Sequence, residues 1–385
     1  MQFKTIGNTK VPVIGQGTGK VKDENIIRLG IEQGLTFIDT SETYGNEEII
    51  AKAIKGKRDK VFISDKFAPE HNGYDDVIKA CEASLKRLGT DYIDLYSMYY
   101  PNPNIDIDET ITAIEHLGLD GKIRYGGYCN VGSKFIESLK GGAIQLEYNL
   151  FDRSIEDSIL PYCERNNILT VAYSPLLDWE LLDPGAVVWV MEIALNHQSG
   201  IRQVILAWLV SRKSVIVIPR SNNPKHIIEN ARAGDLILSQ AEIDQISKMF
   251  PYESQYIDPK LINISLNADT IPQTKEQALR KWPTVGKVSL EDFKPVRVTY
   301  TWEKTYEIKE GAFRYWSWIL QSDKPIPVIV KKRWLLEPEG GKKGIQLKCK
   351  EHPESPVMEI NGNKFCSKCY NEFLIRSVGA LRGDI

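Results

Sequence analysis

The chain has 385 residues, of which 42% are hydrophobic, and its formal net charge is −2. This length exceeds one typical domain, so we expect two or three domains. No segment approaches the roughly 18 consecutive apolar residues of a membrane-spanning helix, and the start of the chain lacks an apolar run suited to export. Six cysteines in this length do not indicate a disulfide scaffold, so we expect a cytoplasmic protein without a membrane partner.

The charges are distributed unevenly along the chain. Residues 281–385 contain 19 Lys and Arg against 13 Asp and Glu, a net charge of +6. The preceding 280 residues contain 30 against 38, a net charge of −8. Such an asymmetry favours domains with different partners.

Apolar strand-like runs alternate with helix-period segments up to about residue 235. We predict strands near Val13–Gly17, Thr36–Asp39, Val61–Asp65, Ile93–Met98, Ile123–Cys129, Ile144–Glu147, Leu169–Tyr173 and Val215–Ile218. The helices predicted between them include Asp23–Gln33, Tyr74–Arg87, Asp108–Leu117, Glu156–Asn166 and Pro224–Arg232. Eight such units predict an α/β fold of the (β/α)₈ TIM-barrel type over residues 1–250. A doubly wound sheet is the alternative, because periodicity alone does not close a barrel.

Polar residues follow three of the predicted strands. Asp39 ends one strand and is followed by Tyr44, Lys66 ends the next, and Tyr99 follows the third. In a parallel barrel all these strand ends open onto one mouth. An ammonium group stabilises a neighbouring phenolate, so we expect Lys66, held by Asp39, to lower the pKa of Tyr44 from about 10. The alternative is a purely structural ion pair between Asp39 and Lys66 under the rim.

Seven ordered motifs resemble those of the aldo-keto reductase family, over roughly residues 5–250. They are Gly34–Gly45, Ile63–Lys66, Leu85–Leu95, Gly121–Gly127, Gln145–Asn149, Ala172–Leu176 and Ile218–Asn222. The resemblance implies NAD(P)H-dependent reduction of a small aldehyde or ketone without a metal. By position it implies that Tyr44 is the general acid, that Lys66 tunes it and that Asp39 holds Lys66.

Tyr99 departs from the family pattern, which has histidine at this position. A phenol can donate a hydrogen bond to a carbonyl, but it does not change charge near neutral pH as imidazole does. We therefore expect carbonyl orientation to survive and a proton relay to suffer. One alternative is that Tyr99 only packs the mouth. Another is that the barrel binds NADP(H) without efficient turnover and acts as a sensor or scaffold for the C-terminal module.

The resemblance also implies where the nicotinamide would bind. Cys129 and Asn130 stand where the family usually has Ser-Asn, and with Gln145 they would bind the carboxamide. The thiol of Cys129 is a weaker hydrogen-bonding group than a serine hydroxyl, which is a second departure. Tyr173 would stack on the nicotinamide ring.

The rest of the cofactor is assigned by the same resemblance. Ser174 and Leu176 would lie at the pyrophosphate, and the adenosine end would be surrounded by Arg220, Ser221, His226, Glu229 and Asn230. Arg220 beside Ser221 can bind a 2′-phosphate, so NADP(H) is favoured and NAD(H) is the alternative. For His226 the alternative is an exposed surface residue.

After a predicted connector over residues 251–284, in which 256–264 form a short strand or a strap, a new pattern begins. Residues 285–335 have the order strand, turn, helix, strand and resemble a ParB/sulfiredoxin-like domain. That resemblance implies that Gly311 and Arg314, at the helix start, contact a nucleotide phosphate and that Glu310 is a candidate for catalysis such as phosphotransfer. The alternative is a turn glycine with a surface arginine.

Tryptophan is concentrated in the same region, where five of the eight lie between residues 282 and 334. Aromatic side chains amid basic ones can bind single-stranded nucleic acid. More often they fill the core of a small domain, which is the interpretation we favour.

The tail, residues 345–385, predicts a zinc-ribbon-like segment. Cys349-x-x-His352 is followed after thirteen residues by Cys366-x-x-Cys369, a spacing that suits a tetrahedral zinc ion. Residues 357–365 predict a hairpin around Asn361-Gly362. Four protein ligands would close the site, so the zinc would be structural. The alternative is that these are ordinary thiols and a histidine.

Overall fold

The structure is a computed structural model. It describes residues 1–250 except 103, 133–135, 137–141 and 177–183. Beyond residue 250 it describes 255–257, 259, 262–263, 274–281, 296–300, 306–310, 312–322, 324, 326–331, 336–339, 346–349, 357–360 and 363–366. The chain forms two compact units. One contains residues 1–179, 199–252 and 287–293, and the other contains 180–198, 253–286 and 294–385.

The first unit is built on a sheet of eight parallel strands. An antiparallel hairpin, β1 (Phe3–Ile6) and β2 (Thr9–Pro12), precedes it. The eight strands are β3 (Gln16–Gly17), β4 (Phe37–Asp39), β5 (Phe62–Phe67), β6 (Ile93–Met98), β7 (Ile123–Cys129), β8 (Ala143–Glu147), β9 (Leu169–Tyr173) and β10 (Val215–Val217). They neighbour one another in chain order, as the prediction requires.

The two ends of this sheet are joined. Ile14 and Val217 form a parallel bridge. The backbone N–H of Gly15 donates to the carbonyl of Val217 at 2.8 Å, and the N–H of Val217 donates to the carbonyl of Val13 at 3.0 Å. The strands therefore close on themselves, which excludes the doubly wound alternative.

Helices alternate with the strands. In this unit they are α1 (Glu24–Glu32), α2 (Glu47–Ala53), α3 (Tyr74–Leu88), α4 (Ile107–Leu119), α5 (Ile159–Asn166), α7 (Ile201–Val210), α8 (Pro224–Ala233) and α9 (Gln240–Met249). Helix α6 (Pro184–Asn196), which comes between α5 and α7 in the chain, belongs to the second unit. Asp23 caps α1 by accepting a hydrogen bond from the Asn25 N–H at 2.9 Å. Gly89, at φ 62°, ends α3 in the left-handed conformation that glycine adopts without strain.

Apolar side chains fill the barrel at the amino ends of its strands. Ile6 and Val11 of the hairpin join a buried cluster that includes Phe37, Phe62 and Leu169. Each of these three is the first residue of its strand. This packing covers one end of the barrel and leaves the polar residues to the opposite end, where the strands finish.

Past residue 250 the described segments form a five-stranded sheet. Its strands are β11 (Gln255–Ile257), β12 (Ile262–Asn263), β13 (Val296–Tyr300), β14 (Tyr306–Glu310) and β15 (Ile326–Lys331), in the order β11-β15-β13-β14-β12. Helices α10 (Lys275–Lys281) and α11 (Ala312–Gln321) belong to the same unit. The order strand, helix, strand predicted after residue 295 is confirmed. The segment predicted as a strap contributes β11 and β12.

Helix α11 buries three aromatic side chains. Tyr315, Trp316 and Trp318 are each less than 10% exposed, and the indole N–H of Trp318 donates to the carbonyl of Lys324 at 2.9 Å. These two tryptophans therefore belong to a core, as favoured above. Gly311 lies outside the described residues, and for Glu310 and Arg314 only the backbone is described.

Two antiparallel hairpins lie in the tail. They are β16 (Leu336–Glu339) with β17 (Gln346–Cys349), and β18 (Val357–Ile360) with β19 (Asn363–Cys366). The two strands of the second pair lie on either side of Asn361-Gly362, where a hairpin is predicted; these two residues lie outside the described part of the chain. Of the predicted zinc ligands, His352 and Cys369 lie outside the described residues, and only the backbone of Cys349 and Cys366 is described.

Of the helices that the structure describes, none combines the length and apolar composition that a bilayer crossing requires.

A buried carboxyl group on β5 affects stability. Asp65 is fully buried on the strand that also carries Lys66, and its Oδ2 has no hydrogen-bond partner among the described residues. Its Oδ1 accepts from the backbone N–H of Lys66 at 2.8 Å. Burial raises the pKa of Asp65 to about 8, and the negative charge of Glu47 acts in the same direction.

We expect this carboxyl group to give the barrel a pH-dependent stability. The folded chain keeps Asp65 protonated up to about pH 8, whereas the unfolded chain ionises it near pH 4. Between these values the folded state binds more protons, so the free energy of unfolding falls as pH rises, by at most about 1.4 kcal/mol per pH unit. Asp65→Asn should flatten this slope in urea unfolding from pH 5 to 8. An unchanged slope would show that Asp65 is ionised in the folded chain.

Candidate active site

A buried ion pair lies at the carboxyl ends of β4 and β5. Lys66 Nζ lies 2.6 Å from Asp39 Oδ1, and the two side chains are 0% and 3% exposed. The ammonium group also donates to the carbonyl of Thr40, the residue after β4. Burial acts to lower the pKa of Lys66, but the Asp39 carboxylate outweighs it and raises that pKa above its ordinary value. Lys66 therefore stays charged at neutral pH.

Tyr44 lies in a short 3₁₀ turn, Glu42–Tyr44, that follows β4. The Ser41 hydroxyl accepts from the Thr43 N–H at 3.3 Å and donates to the Lys66 carbonyl at 3.1 Å, which ties the turn to β5. Lys66 Nζ lies 5.7 Å from the centre of the Tyr44 ring. The predicted convergence of acid, lysine and tyrosine at one mouth is thus present.

The predicted lowering of the Tyr44 pKa is wrong. Burial raises the pKa of Tyr44 well above its ordinary value, and the Asp39 charge and the hydrogen bond with Tyr99 act in the same direction. The physical reason is that Lys66 is already paired with Asp39, so its charge does not offset the loss of water around a phenolate. Tyr44 therefore holds its proton across the neutral range, which is the state that a proton donor requires.

Tyr99 brings a second phenol to the mouth. It follows β6, and its hydroxyl lies 3.4 Å from that of Tyr44. The two rings are nearly perpendicular, at 88°, with centres 6.2 Å apart. The backbone N–H of Tyr99 donates to the carbonyl of Phe67 at 3.2 Å, and its carbonyl accepts from Asn130 Nδ2 at 2.9 Å. The backbone of Tyr99 is thus held on two sides.

The residues assigned to the nicotinamide lie beside this pair. Gln145 is buried on β8 and bonds Asp39 through its side-chain amide, while its Oε1 has no partner among the described residues. Asn130, in a left-handed conformation at φ 58°, accepts through Oδ1 from the Tyr173 hydroxyl at 2.8 Å. Burial raises the pKa of Cys129 to about 12, so it remains a thiol. A buried acceptor without a partner suits the NH₂ group of a carboxamide, so these residues fit nicotinamide.

The residues assigned to the rest of the cofactor follow β9 and β10. Ser174 has a left-handed φ of 50°, and Leu176 is half-buried. Arg220 is exposed, and the Ser221 hydroxyl lies 3.4 Å from His226 Nδ1. The last two assigned residues belong to α8: the Glu229 carboxylate lies 3.3 Å from Arg202, and Asn230 is buried.

The start of α8 is suited to an anion. Asn223 caps the helix by accepting from the Lys225 N–H at 3.0 Å, and its own N–H donates to the Ser221 hydroxyl at 3.0 Å. A helix N-terminus next to an exposed cation such as Arg220 favours phosphate. Arg220, Ser221 and His226 are therefore brought to one end of a single helix.

Sequence reasoning missed the residues that hold the Tyr44 turn. Asn46 Oδ1 accepts from the Thr40 hydroxyl at 2.8 Å, and its Nδ2 donates to the Thr18 carbonyl at 2.8 Å. Glu42 Oε1 accepts from the Ala68 N–H at 2.5 Å and lies 2.7 Å from His71 Nδ1. The available signal was the density of turn-forming side chains around Tyr44 in Thr-Ser-Glu-Thr-Tyr-Gly-Asn.

Among the described residues there is no group of three or more His, Cys, Asp and Glu side chains that could hold a metal ion. This statement does not cover the zinc ligands predicted in the tail, because their side chains lie outside the described residues.

The fold and the site together define a class of protein, an α/β barrel with a buried Lys–Asp pair and a phenol at its mouth. Comparison with known proteins identifies the family. The model of the "Aldo/keto reductase family" matches residues 13–182. Methylglyoxal reductase YeaE of Escherichia coli K12 is 37% identical over an alignment of 274 residues, and the match covers 65% of this chain and 96% of that protein. Glyoxal reductase of Bacillus subtilis is 34% identical, over 64% of this chain and 91% of that protein.

Comparison with solved structures gives the same family. The thermostable aldo-keto reductase Tm1743 superimposes with a TM-score of 0.61 at 35% identity, covering 65% of this chain and all of that one. An aldo-keto reductase from Klebsiella pneumoniae, solved with NADPH, superimposes with a TM-score of 0.61 at 33% identity, covering 66% of this chain and 98% of that one. The chain belongs to the aldo/keto reductase family.

Proposed function

We propose that the barrel reduces an aldehyde or a ketone to an alcohol, with Tyr44 as the proton donor. The observation that carries this proposal is the position of Tyr44 beside the buried Asp39–Lys66 pair. When bound, NADPH supplies the hydride. As negative charge grows on the substrate oxygen, the Tyr44 hydroxyl gives up its proton to that oxygen. Lys66, which Asp39 holds 5.7 Å from the centre of the Tyr44 ring, lowers part of the cost of the phenolate that remains, although burial is the larger effect.

Family membership indicates a small carbonyl compound as the substrate. Two relatives are named for methylglyoxal and glyoxal, so short aldehydes are the first substrates to test. NADPH consumption, measured at 340 nm with a panel of such aldehydes, tests the proposal. Saturable turnover that Tyr44→Phe abolishes supports it. Tight NADPH binding without turnover, not restored by Tyr99→His, would instead favour the sensor or scaffold alternative.

We propose NADPH rather than NADH as the cofactor. Arg220 is exposed and lies next to Ser221 and the start of α8, where a 2′-phosphate can be bound through charge-assisted hydrogen bonds. We expect Arg220→Ala to weaken NADPH binding about tenfold or more and to change NADH binding little. The matched control is Arg232→Ala, an exposed arginine in the last turn of α8 and so at the end of the helix away from Arg220. Fluorescence titration measures both affinities, and equal losses for the two cofactors would contradict the assignment.

For the tail we propose a structural zinc ion held by Cys349, His352, Cys366 and Cys369. The ligand spacing and the hairpin between β18 and β19 support it. We expect about one zinc per chain by mass spectrometry, removed by Cys366→Ser and retained by Cys163→Ser, whose thiol is buried in the barrel. Protein without zinc would contradict the site.

For residues 285–335 we propose nucleotide binding at Glu310, Gly311 and Arg314. The order of β14, α11 and β15 supports it, because β14 ends at Glu310 and α11 begins at Ala312. Binding of ATP or CTP by the full chain, lost on Arg314→Ala, tests this. Salt-sensitive binding of single-stranded nucleic acid would indicate the other partner considered for this module.

A further inference from the structure

A tyrosine, a histidine and an aspartate lie next to one another on two helices of the barrel. Tyr74 is the first residue of α3, His116 lies in the last turn of α4, and Asp120 follows the end of α4. The Tyr74 hydroxyl is hydrogen-bonded to Nδ1 of His116. Nε2 of the same imidazole lies 3.5 Å from Oδ2 of Asp120. All three residues are separate from those assigned to carbonyl reduction.

The two contacts of the imidazole determine which nitrogen carries the hydrogen. The rings of Tyr74 and His116 have centres 5.9 Å apart and planes within 19°, so the hydroxyl meets the imidazole at its edge. Nδ1 then accepts from the phenol, and the hydrogen on Nε2 faces the carboxylate of Asp120. A nucleophile within hydrogen-bond reach of a base, with a third group that orients the base, is the arrangement of nucleophilic catalysis.

The imidazolium that forms when His116 takes the phenol proton is stabilised by two groups. One is the Asp120 carboxylate, and the other is the carbonyl end of α4, which favours a cation in its last turn. The side chains of His116 and Asp120 are 45% and 46% exposed, and Tyr74 is half-buried. The backbone N–H of Tyr74 donates to Oε2 of Glu109 at 3.3 Å. The phenol is therefore held in place and within reach of a small molecule from solution.

The charges around the start of α3 are mainly negative. Asp75 and Asp76 are exposed in its first turn, and Glu109 contacts the backbone of Tyr74. Lys79, 3.7 Å from Asp76, offsets one of these charges. Such a surface repels anionic acyl donors, for example acyl phosphates, and does not repel neutral ones. A neutral carboxylic ester is the class of reagent that fits.

We propose that Tyr74 is a nucleophile that accepts the acyl group of neutral, activated esters, with His116 as its general base and Asp120 as a positioning residue. The phenol oxygen forms a bond to the ester carbonyl carbon while its proton passes to Nδ1 of His116. The bond between that carbon and the ester oxygen then breaks, and the leaving alcohol takes the electron pair and the proton. The products are an acyl ester of Tyr74 and a free alcohol, and nothing is oxidised or reduced.

The test uses p-nitrophenyl acetate, which is neutral and has a coloured leaving group. We expect a burst of about one p-nitrophenol per chain, with an acetyl group on Tyr74 in peptide mass spectrometry. Tyr74→Phe should abolish the burst, and His116→Gln should slow it about 10²-fold or more. Asp120→Asn should slow the burst less than His116→Gln does, and Asp120→Glu should restore it. Acetyl phosphate should label Tyr74 much more slowly.

Tyr162, a half-buried tyrosine on α5, is the internal reference for labelling in the wild-type chain. If Tyr74 is acetylated no faster than Tyr162, or if acetyl groups are found on lysines alone, the proposal is wrong. A burst of wild-type rate in His116→Gln would also overturn it. Thermal unfolding checks that each variant is folded, while the Tyr162 comparison needs no variant. Aldehyde reduction by Tyr74→Phe should keep the wild-type rate, so this activity and carbonyl reduction are tested separately.

Discussion

Tyr44→Phe is expected to lower kcat/KM for aldehyde reduction about 10²–10⁴-fold. The substitution keeps the ring, and with it the edge-to-face contact with Tyr99 at 6.2 Å, but it removes the hydroxyl that is proposed to give the proton. Burial raises the pKa of Tyr44, so the hydroxyl stays protonated through neutral pH in the wild-type chain. The activity of the wild-type chain should therefore not fall through deprotonation of Tyr44 as pH rises from 6 to 8.

Cofactor affinity is the readout that separates this effect from damage to the site. NADPH binding by Tyr44→Phe, followed by fluorescence, should stay within about twofold of the wild-type value, since the residues assigned to the nicotinamide carboxamide are Gln145 and Asn130. Tyr100→Phe is the control for removing a phenol hydroxyl near the mouth. Retention of full activity by Tyr44→Phe would show that another group supplies the proton.

Asp39→Asn is expected to destabilise the barrel by about 3–5 kcal/mol, because it leaves the Lys66 ammonium buried without its partner. Lys66 Nζ is 2.6 Å from Asp39 in the wild-type chain and has no exposed surface. Urea unfolding monitored by circular dichroism measures the loss. In the variant the folded pKa of Lys66 falls below that of the unfolded chain, so stability should rise as pH increases toward about 10.

A double variant separates charge from shape. Asp39→Asn with Lys66→Met removes both charges and should recover a large part of the stability, while reduction of aldehydes stays lost. Recovery of activity in the double variant would contradict the role given to Lys66. Equal stability of Asp39→Asn and wild-type chains would show that the buried pair contributes little to folding.

Much of the barrel could be predicted because its signals are local. Strand and helix periods, and stops such as Gly89, lie within a few residues of the elements they define. The convergence of Asp39, Lys66 and Tyr99 could also be predicted, since parallel strands place their final residues at one end. The sequence resemblance then suggested which roles these residues have.

What could not be predicted depends on quantities that a sequence does not contain. The direction of the Tyr44 pKa shift results from a competition between burial and neighbouring charges, and only the geometry shows that Asp39 already neutralises Lys66. The support of the Tyr44 turn by Glu42 and His71 spans 29 residues. In the same way, β11 pairs with β15 across more than 60 residues, and no local sequence pattern predicts this contact.

The most direct test of carbonyl reduction by this barrel is to trace the origin of the hydrogen that is added to the substrate carbon. The wild-type chain is incubated with methylglyoxal and NADPH that carries deuterium at both C4 positions, and the product is analysed by mass spectrometry. We expect one deuterium on the carbon that bears the new hydroxyl group, and we expect Tyr44→Phe to form the same deuterated alcohol about 10²–10⁴-fold more slowly. An alcohol without deuterium, or no alcohol although NADPH is bound, would contradict hydride transfer at this site.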